Sequence, residues 1–539
     1  MTVLIFLLIS YVLLSLALYK LFPKANVEAS KGLIPGVNFV EWAKLIGRSK
    51  WYPLWLLFPI VNIFTFTGMA VDLVRSFGKY KFRDTALAVI YAPLSFFKLA
   101  TNPADKFKGP TIPAEAAYAE KIEDARKAGK KREYERLLEK NPYKKAAWRE
   151  WVESIFFAVF AAAFIRMFLI EAYVIPTPSM EGSLKVGDFL FVSKPHYGLR
   201  TPSTIAMIPL LHNRVPIVGG ESYFEKPSIP SYRLPALQSV QRNKPFVFNW
   251  PVGDSIYLTS VRSYSVGQVE RAKGMIGDPE LRSKIDKKEI ITRPLDKKDH
   301  YIKRCVGLPG DNLEIRNREL YINGEKQKDP EKIQFNYDMI ASQGATLDLR
   351  NKAVRKRLMD KGIGEDSDIA RGQFGLQFAL DPEQLEYMKT IDPNIQFRIV
   401  ENVADPVNLF PHDPVNFPDW TIDNYGPIYI PKKGEKVDLT PQNIALYRRI
   451  IDNYESNEFR MEGNTFYING EQATSYTFKQ DYYWAMGDNR HNSEDSRAWG
   501  FVPFDHILGK PLFVWFSTVN GSIKNGIRWN RLFMSADVD

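Results

Sequence analysis

Three short stretches of the 539-residue chain bring together residue types that can do chemistry. The first is Tyr173–Lys194, where Ser179 follows Ile175-Pro176-Thr177-Pro178 and precedes Met180. A residue before proline avoids the helical region, so Ile175 and Thr177 are held extended and the Ser179 hydroxyl is expected in a stiff, extended segment against a membrane surface. A lone serine after proline is ordinarily a loop serine; the other two stretches give this one weight. In Asp299–Asp311, strand alternation puts Tyr301, Lys303 and Cys305 on one face and Ile302, Arg304 and Val306 on the other. A lysine among apolar neighbours on a strand is either an edge gatekeeper or a buried functional amine. The third stretch, Trp484–Gly500, is a polar run between aromatics that contains Gly487, Asp488, Ser493, Asp495 and Arg497. It reads as a calcium-type loop or a rigid hydrogen-bonded site loop, and its acidic spacing does not match the EF-hand. Asp495 and Arg497 are spaced to pair, while Ser493 can present its hydroxyl inward. A Ser-His-Asp hydrolase would draw on His300, His491 and Asp488, but the Gly-x-Ser-x-Gly elbow is absent around Ser179.

The elements that must position these residues begin with apolar segments. Residues 2–19 carry no charge and are long enough to cross roughly 30 Å of hydrocarbon. Lys20 and Lys24 follow that run, the reverse of a cleavable signal peptide. Residues 51–71, broken by Pro53 and Pro59, and residues 85–97 read as a helical hairpin or a re-entrant pair, with a buried soluble hairpin as the alternative. These give an N-terminal transmembrane region at 1–100 with two or three apolar segments. A charged cytosolic helical segment at 101–147 precedes a transmembrane anchor at 148–170, where Trp148 and Trp151 suit an interface belt. With the basic stretch inside, everything after about residue 166 lies outside, so 171–539 is the exported domain. From residue 176 onward, short β-branched and aromatic runs are punctuated by Pro, Gly, Asn and Asp. The expected fold is therefore membrane-anchored and mainly β, with N-terminal transmembrane helices and α/β insertions at about 197–296 and 328–460. Asn323-Gly324 and Asn469-Gly470 each sit between strand-like residues and mark hairpins.

Composition excludes several classes. The chain is 45% hydrophobic and 25% charged, globular rather than disordered. Its net charge of +10 is spread along the chain, which argues against a nucleic-acid patch and suits a lipid bilayer. The single cysteine, Cys305, excludes an internal disulfide framework and a cysteine zinc site.

Taken together, Pro-x-Pro-Ser-Met beside an apolar span, Tyr-Ile-Lys-Arg-x-Val-Gly-Leu-Pro-Gly-Asp, and Gly-Asp-Asn-Arg-x-Asn-Ser-x-Asp-Ser-Arg resemble bacterial type I signal peptidases, Ser/Lys endopeptidases that release exported preproteins from their leader peptides. The resemblance covers roughly 150–197, 297–326 and 465–516. It implies Ser179 as nucleophile, Lys303 as general base, Ser493 as the hydroxyl that orients the amine, and Thr177 as a side-chain oxyanion donor. Asp495 and Arg497 match its structural ion pair, with Gly487 and Asp488 nearby. Substrate would add as a strand between segments that include Ile175, Pro176, Met180, Tyr301 and Ile302, with pockets selecting small-x-small sites. The implied enzyme needs no cofactor and no metal, and works in the bacterial inner membrane with its catalytic domain on the periplasmic side. One departure is Glu181-Gly182-Ser183, where the commoner family pattern has proline and threonine. The rival expectation is an inactive membrane-anchored β-domain that binds peptides as a scaffold.

Overall fold

A computed structural model describes residues 2–57, 61–145, 147–204, 207–216, 220–226, 228–272, 276–341, 347–364, 369–372 and 375–537. Pro59, expected to break the second apolar run, lies outside these residues. The chain divides into two compact units, residues 1–164 and 165–539.

The first unit is helical: α1 (Thr2–Leu21), α2 (Val37–Ile46), α3 (Val61–Ser76), α4 (Phe82–Ile90), α5 (Ala92–Thr101), α6 (Thr111–Lys127), α7 (Lys131–Glu139) and the start of α8 (Ala147–Phe168). Leu18, Phe22, Trp42, Leu73 and Phe96 share one buried core. The Trp42 indole N–H is satisfied there by the Met69 carbonyl at 3.1 Å. Among the described residues two helical stretches are long and apolar enough to cross a membrane, Leu8–Ala25 and Ala147–Phe168. The run at 85–97 is divided at Tyr91, where α4 stops and α5 begins with Pro93 in its first turn.

The second unit is built on a seven-stranded antiparallel sheet. Its strands are β1 (Ile170–Val174), β2 (Asp188–Ser193), β3 (Pro245–Asn249), β4 (His300–Gly307), β5 (Tyr482–Met486), β6 (Val502–Pro503) and β7 (Ile507–Ser517). Their spatial order is β1-β2-β7-β3-β4-β5-β6. This corrects the expected insertion at 197–296. β3 is entirely buried and pairs with β4 from Pro245↔Arg304 to Asn249↔His300, so it belongs to the main sheet and divides that segment.

The two Asn-Gly hairpins form, in different sheets. Ile322 pairs with Glu325 and Ile468 with Glu471. Asn323 and Asn469 take φ of 53° and 54°, each followed by a positive-φ glycine, as a two-residue I′ turn requires. Within the segment expected to be inserted at 328–460, strands Phe335–Ala341, Ile369–Gly372, Gly375–Leu380 and Ile395–Ile399 make a separate four-stranded sheet. Helices Lys352–Met359 and Pro382–Lys389 complete this α/β piece around Met339, Leu358, Phe378 and Met388. Strand Tyr425–Tyr429 instead pairs with Asn312–Arg316, so the far end of that segment also returns to the β-rich body.

Candidate active site

Ser179 sits on a single 3-10 turn, Pro178–Met180, and not in the extended segment expected; the extended backbone ends at Thr177 (φ −134°, ψ 152°). The turn is closed by the Glu181 N–H on the Pro178 carbonyl (2.9 Å) and the Leu184 N–H on the Met180 carbonyl (2.8 Å). Asn489 holds it from outside: its backbone N–H donates to the Ser179 carbonyl (3.2 Å) and its Nδ2 to the Pro178 carbonyl (3.3 Å). The departure at Glu181-Gly182-Ser183 is accommodated by glycine itself. Gly182 has φ +96°, and a Cβ there would fall 2.0 Å from the Lys332 carbonyl oxygen.

Lys303 reaches this turn from β4. Its Nζ donates to Ser179 Oγ at 2.6 Å, and the residue is 4% exposed. The amine also lies 5.6 Å from the Tyr301 ring centroid, and that ring stacks on Trp250. Burial disfavours the charged form and brings the Lys303 pKa from 10.5 down to about 8, against the opposing pull of Asp495, Glu494 and Asp488. About a tenth of the amine is then uncharged at pH 7, and half of it at about pH 8. The gatekeeper alternative does not fit a side chain buried this deeply with a single hydroxyl in reach.

The 487–500 loop supports the pair. Arg497 holds Asp495 in two parallel bonds (Nε to Oδ1 2.9 Å, Nη2 to Oδ2 2.8 Å), and Asp495 Oδ2 accepts the Gly487 N–H at 3.0 Å. Gly487 must be glycine: a Cβ would come within 2.2 Å of Ser493 Oγ and 2.4 Å of the Ser179 carbonyl oxygen. Ser493 Oγ, beside the Asp495 carboxylate, is buried and makes no hydrogen bond of normal geometry among the described residues. The hydroxyl expected to orient the lysine therefore stands next to the turn without bonding the amine.

Three contributors were not legible in the sequence. Arg304, on the opposite face from Lys303, grips Asp488 in two bonds (2.8 and 2.7 Å) and donates to Ser183 Oγ (3.2 Å). Asn489 clamps the serine turn. The hairpin at residues 255–265 supplies Arg262, paired with Glu494 at 2.5 Å. Neither alternative histidine bonds Ser179; His300 lines the cleft and His491 does not. His491 Nε2 pairs with Asp423 at 2.9 Å while its Nδ1 accepts the Asn336 N–H. His300 packs against Tyr173 and His212.

Ser179 and Lys303 open into a cleft of about 640 Å³. Its apolar lining includes Ile175, Met180, Leu190, Val247 and Ile302; Pro176, Thr177 and Tyr301 also face it. Its walls are strand edges. β1 pairs only with β2 among the described strands, and β4 pairs with β5 only from Arg304 onward, which leaves 300–303 unpaired on that side. Among the described residues no group of three His, Cys, Asp or Glu is gathered to hold a metal ion.

The family described as "Signal peptidase, peptidase S26" matches residues 148–362 and 429–516, and a family of unknown function matches residues 30–110. Signal peptidase I of Haemophilus influenzae is 24% identical over 388 residues, 71% of this chain and 74% of that protein. Signal peptidase I of Helicobacter pylori (strain J99) is 22% identical over 407 residues, 72% and 91% of the two chains. Signal peptidase IB of Staphylococcus aureus (strain Mu50) is 30% identical over 114 residues, 19% of this chain and 56% of that protein. The unmatched segment 363–428 holds most of the separate α/β piece.

Proposed function

The chain belongs to the signal peptidase family, peptidase S26, a serine endopeptidase that cleaves signal peptides, and from that premise we propose that Ser179 and Lys303 are its catalytic dyad. The observation that carries this reading is the 2.6 Å approach of Lys303 Nζ to Ser179 Oγ at the floor of the cleft. Uncharged Lys303 takes the Ser179 proton as Oγ forms a bond to the scissile carbonyl carbon. The oxyanion is held by the Ser179 N–H and the Thr177 hydroxyl; one such donor is typically worth about 3–4 kcal/mol in the barrier. The lysine ammonium then protonates the departing amine, the C–N bond breaks, and the mature chain leaves. Water, deprotonated by Lys303, next hydrolyses the ester and restores Ser179.

The precursor binds as an added strand between the unpaired edges of β1 and β4. Side chains alternate along such a strand, so the apolar pockets around Ile175, Met180, Leu190 and Ile302 meet every second residue and favour small-x-small sites. Ser493 takes up the lysine amine once a substrate carbonyl displaces the resting contact. α1 and α8 anchor the enzyme in a bacterial cytoplasmic membrane, with the basic segment 101–147 inside and residues 171–539 on the outer side. A peptide-binding scaffold without activity requires none of the Ser179–Lys303 contact.

The test is cleavage of a precursor bearing an Ala-x-Ala site by detergent-solubilised wild type, Ser179→Ala and Lys303→Ala. Cleavage by wild type and loss in both folded variants is expected. An active Lys303→Ala would send the base elsewhere, and an inert wild type would favour the scaffold.

A further inference from the structure

Lys303 is faced by three carboxylates, all from the loop after β5: Asp488, Glu494 and Asp495. Two of them are neutralised by deeply buried arginines. Asp495 is held by Arg497 and Asp488 by Arg304, each through two bonds, and all four side chains are at most 3% exposed. Glu494 is paired instead with Arg262, Nη2 to Oε2 at 2.5 Å, and both side chains line the cleft beside Lys303. That pair is half-open, 38% and 29% exposed.

Arg262 is held in place by more than Glu494. Strands 255–258 and 263–265 form the hairpin whose connection carries it. Thr259 Oγ1 accepts the N–H groups of Val261 and Arg262 (3.3 and 3.2 Å). Ser260 donates through both its N–H and its hydroxyl to Glu280 at 2.7 Å. The guanidinium lies 4.9 Å from the Tyr264 ring centroid. The hairpin therefore brings a fixed cation to one particular carboxylate.

An uncompensated carboxylate beside a lysine stabilises the ammonium form and so removes the base. We propose that Arg262 is a positioning residue that acts through Glu494: by neutralising the carboxylate facing Lys303 that has no buried arginine, it keeps Lys303 available as an uncharged base. The proposal rests on the reading of Lys303 as the base. Besides the three carboxylates, the groups around the amine are Arg497 and the Tyr301 ring; Arg271, from the helix after the hairpin, also faces Glu494, and none of the three changes in the variants below.

The experiment is the pH profile of kcat/KM on an Ala-x-Ala peptide, measured for the detergent-solubilised full chain and four variants. In Arg262→Gln the acid limb moves to higher pH by roughly half a unit, the half-exposed position reducing the one to three units of a fully buried charge. In Glu494→Gln it moves the other way. Arg262→Gln/Glu494→Gln returns close to wild type, and Arg262→Lys, which keeps the charge, stays near it. A purely structural role would lower activity without moving the limb. If Arg262→Gln does not fold, the direction of the Glu494→Gln limb decides. A wild-type limb that stays in place in both single variants overturns this inference alone. A wild type that is inert, or whose limb survives Lys303→Ala, overturns the dyad and this inference with it.

Discussion

Two buried lysines lie five residues apart, and burial treats them alike. Lys298 is 7% exposed and Lys303 4%, and desolvation lowers each to a pKa of about 8. Their surroundings differ. Lys298 Nζ meets the Pro251 carbonyl at 3.4 Å and His506 Nε2 at 3.2 Å, with Asp254 at 3.9 Å, itself held by Arg449. Every one of these groups ties the amine into the fold, and Lys298 does not line the cleft. Lys303 meets one hydroxyl, at the floor of a cleft with unpaired strand edges. A depressed amine is thus a common result of burial, and the partner it faces decides whether it becomes a base.

The largest expected effect separates the two directly. Ser179→Ala and Lys303→Ala each lower kcat/KM by roughly ten-thousand-fold, while Lys298→Met stays near wild type; peptide cleavage kinetics read both. Next is support of the site loop. Arg497→Met strands the fully buried Asp495 and costs about 3–5 kcal/mol, seen as a lower melting temperature in detergent.

Slightly smaller is the stability that Lys303 withholds. Its folded pKa lies below the unfolded 10.5, so the unfolded chain binds the proton more tightly, and stability rises with pH between about 8 and 10.5. Lys303→Met should therefore stabilise the protein by about 3 kcal/mol at pH 7 and by little above pH 10.5. Lys298→Met gains less, because it forfeits the bonds to Pro251 and His506; thermal melts at the two pH values compare them. The smallest effect is graded. In wild type kcat/KM falls tenfold per unit below about pH 8 as Lys303 takes up its proton, and Lys298→Met leaves that limb where it is.

Where the signal is local, the sequence is legible. The Asp495–Arg497 spacing and both Asn-Gly turns depend on neighbours within a few residues, and the structure forms each as expected; Ser179 lies on a 3-10 turn where the prolines alone pointed to an extended segment, and the burial of Lys303 is set by strands far from it in sequence. The misses are non-local. β3 carries no alternation because both of its faces are buried, and it lies in a Pro- and Ser-rich region, so it reads as part of an insertion. Arg304 finds its carboxylate 184 positions away, and Arg262 finds its own 232 away; nothing near either residue announces the pairing.

The unpaired edges of β1 and β4 also bear on how the protein behaves when idle. A bare strand edge recruits any extended chain, which is the route to aggregation in most sheets. Here both edges line the same cleft, so under the reading proposed above one guest strand would pair with the two at once. The empty enzyme is accordingly the less stable form, and a peptide that fills the gap without being cut would tighten the whole sheet in proportion to the logarithm of its concentration.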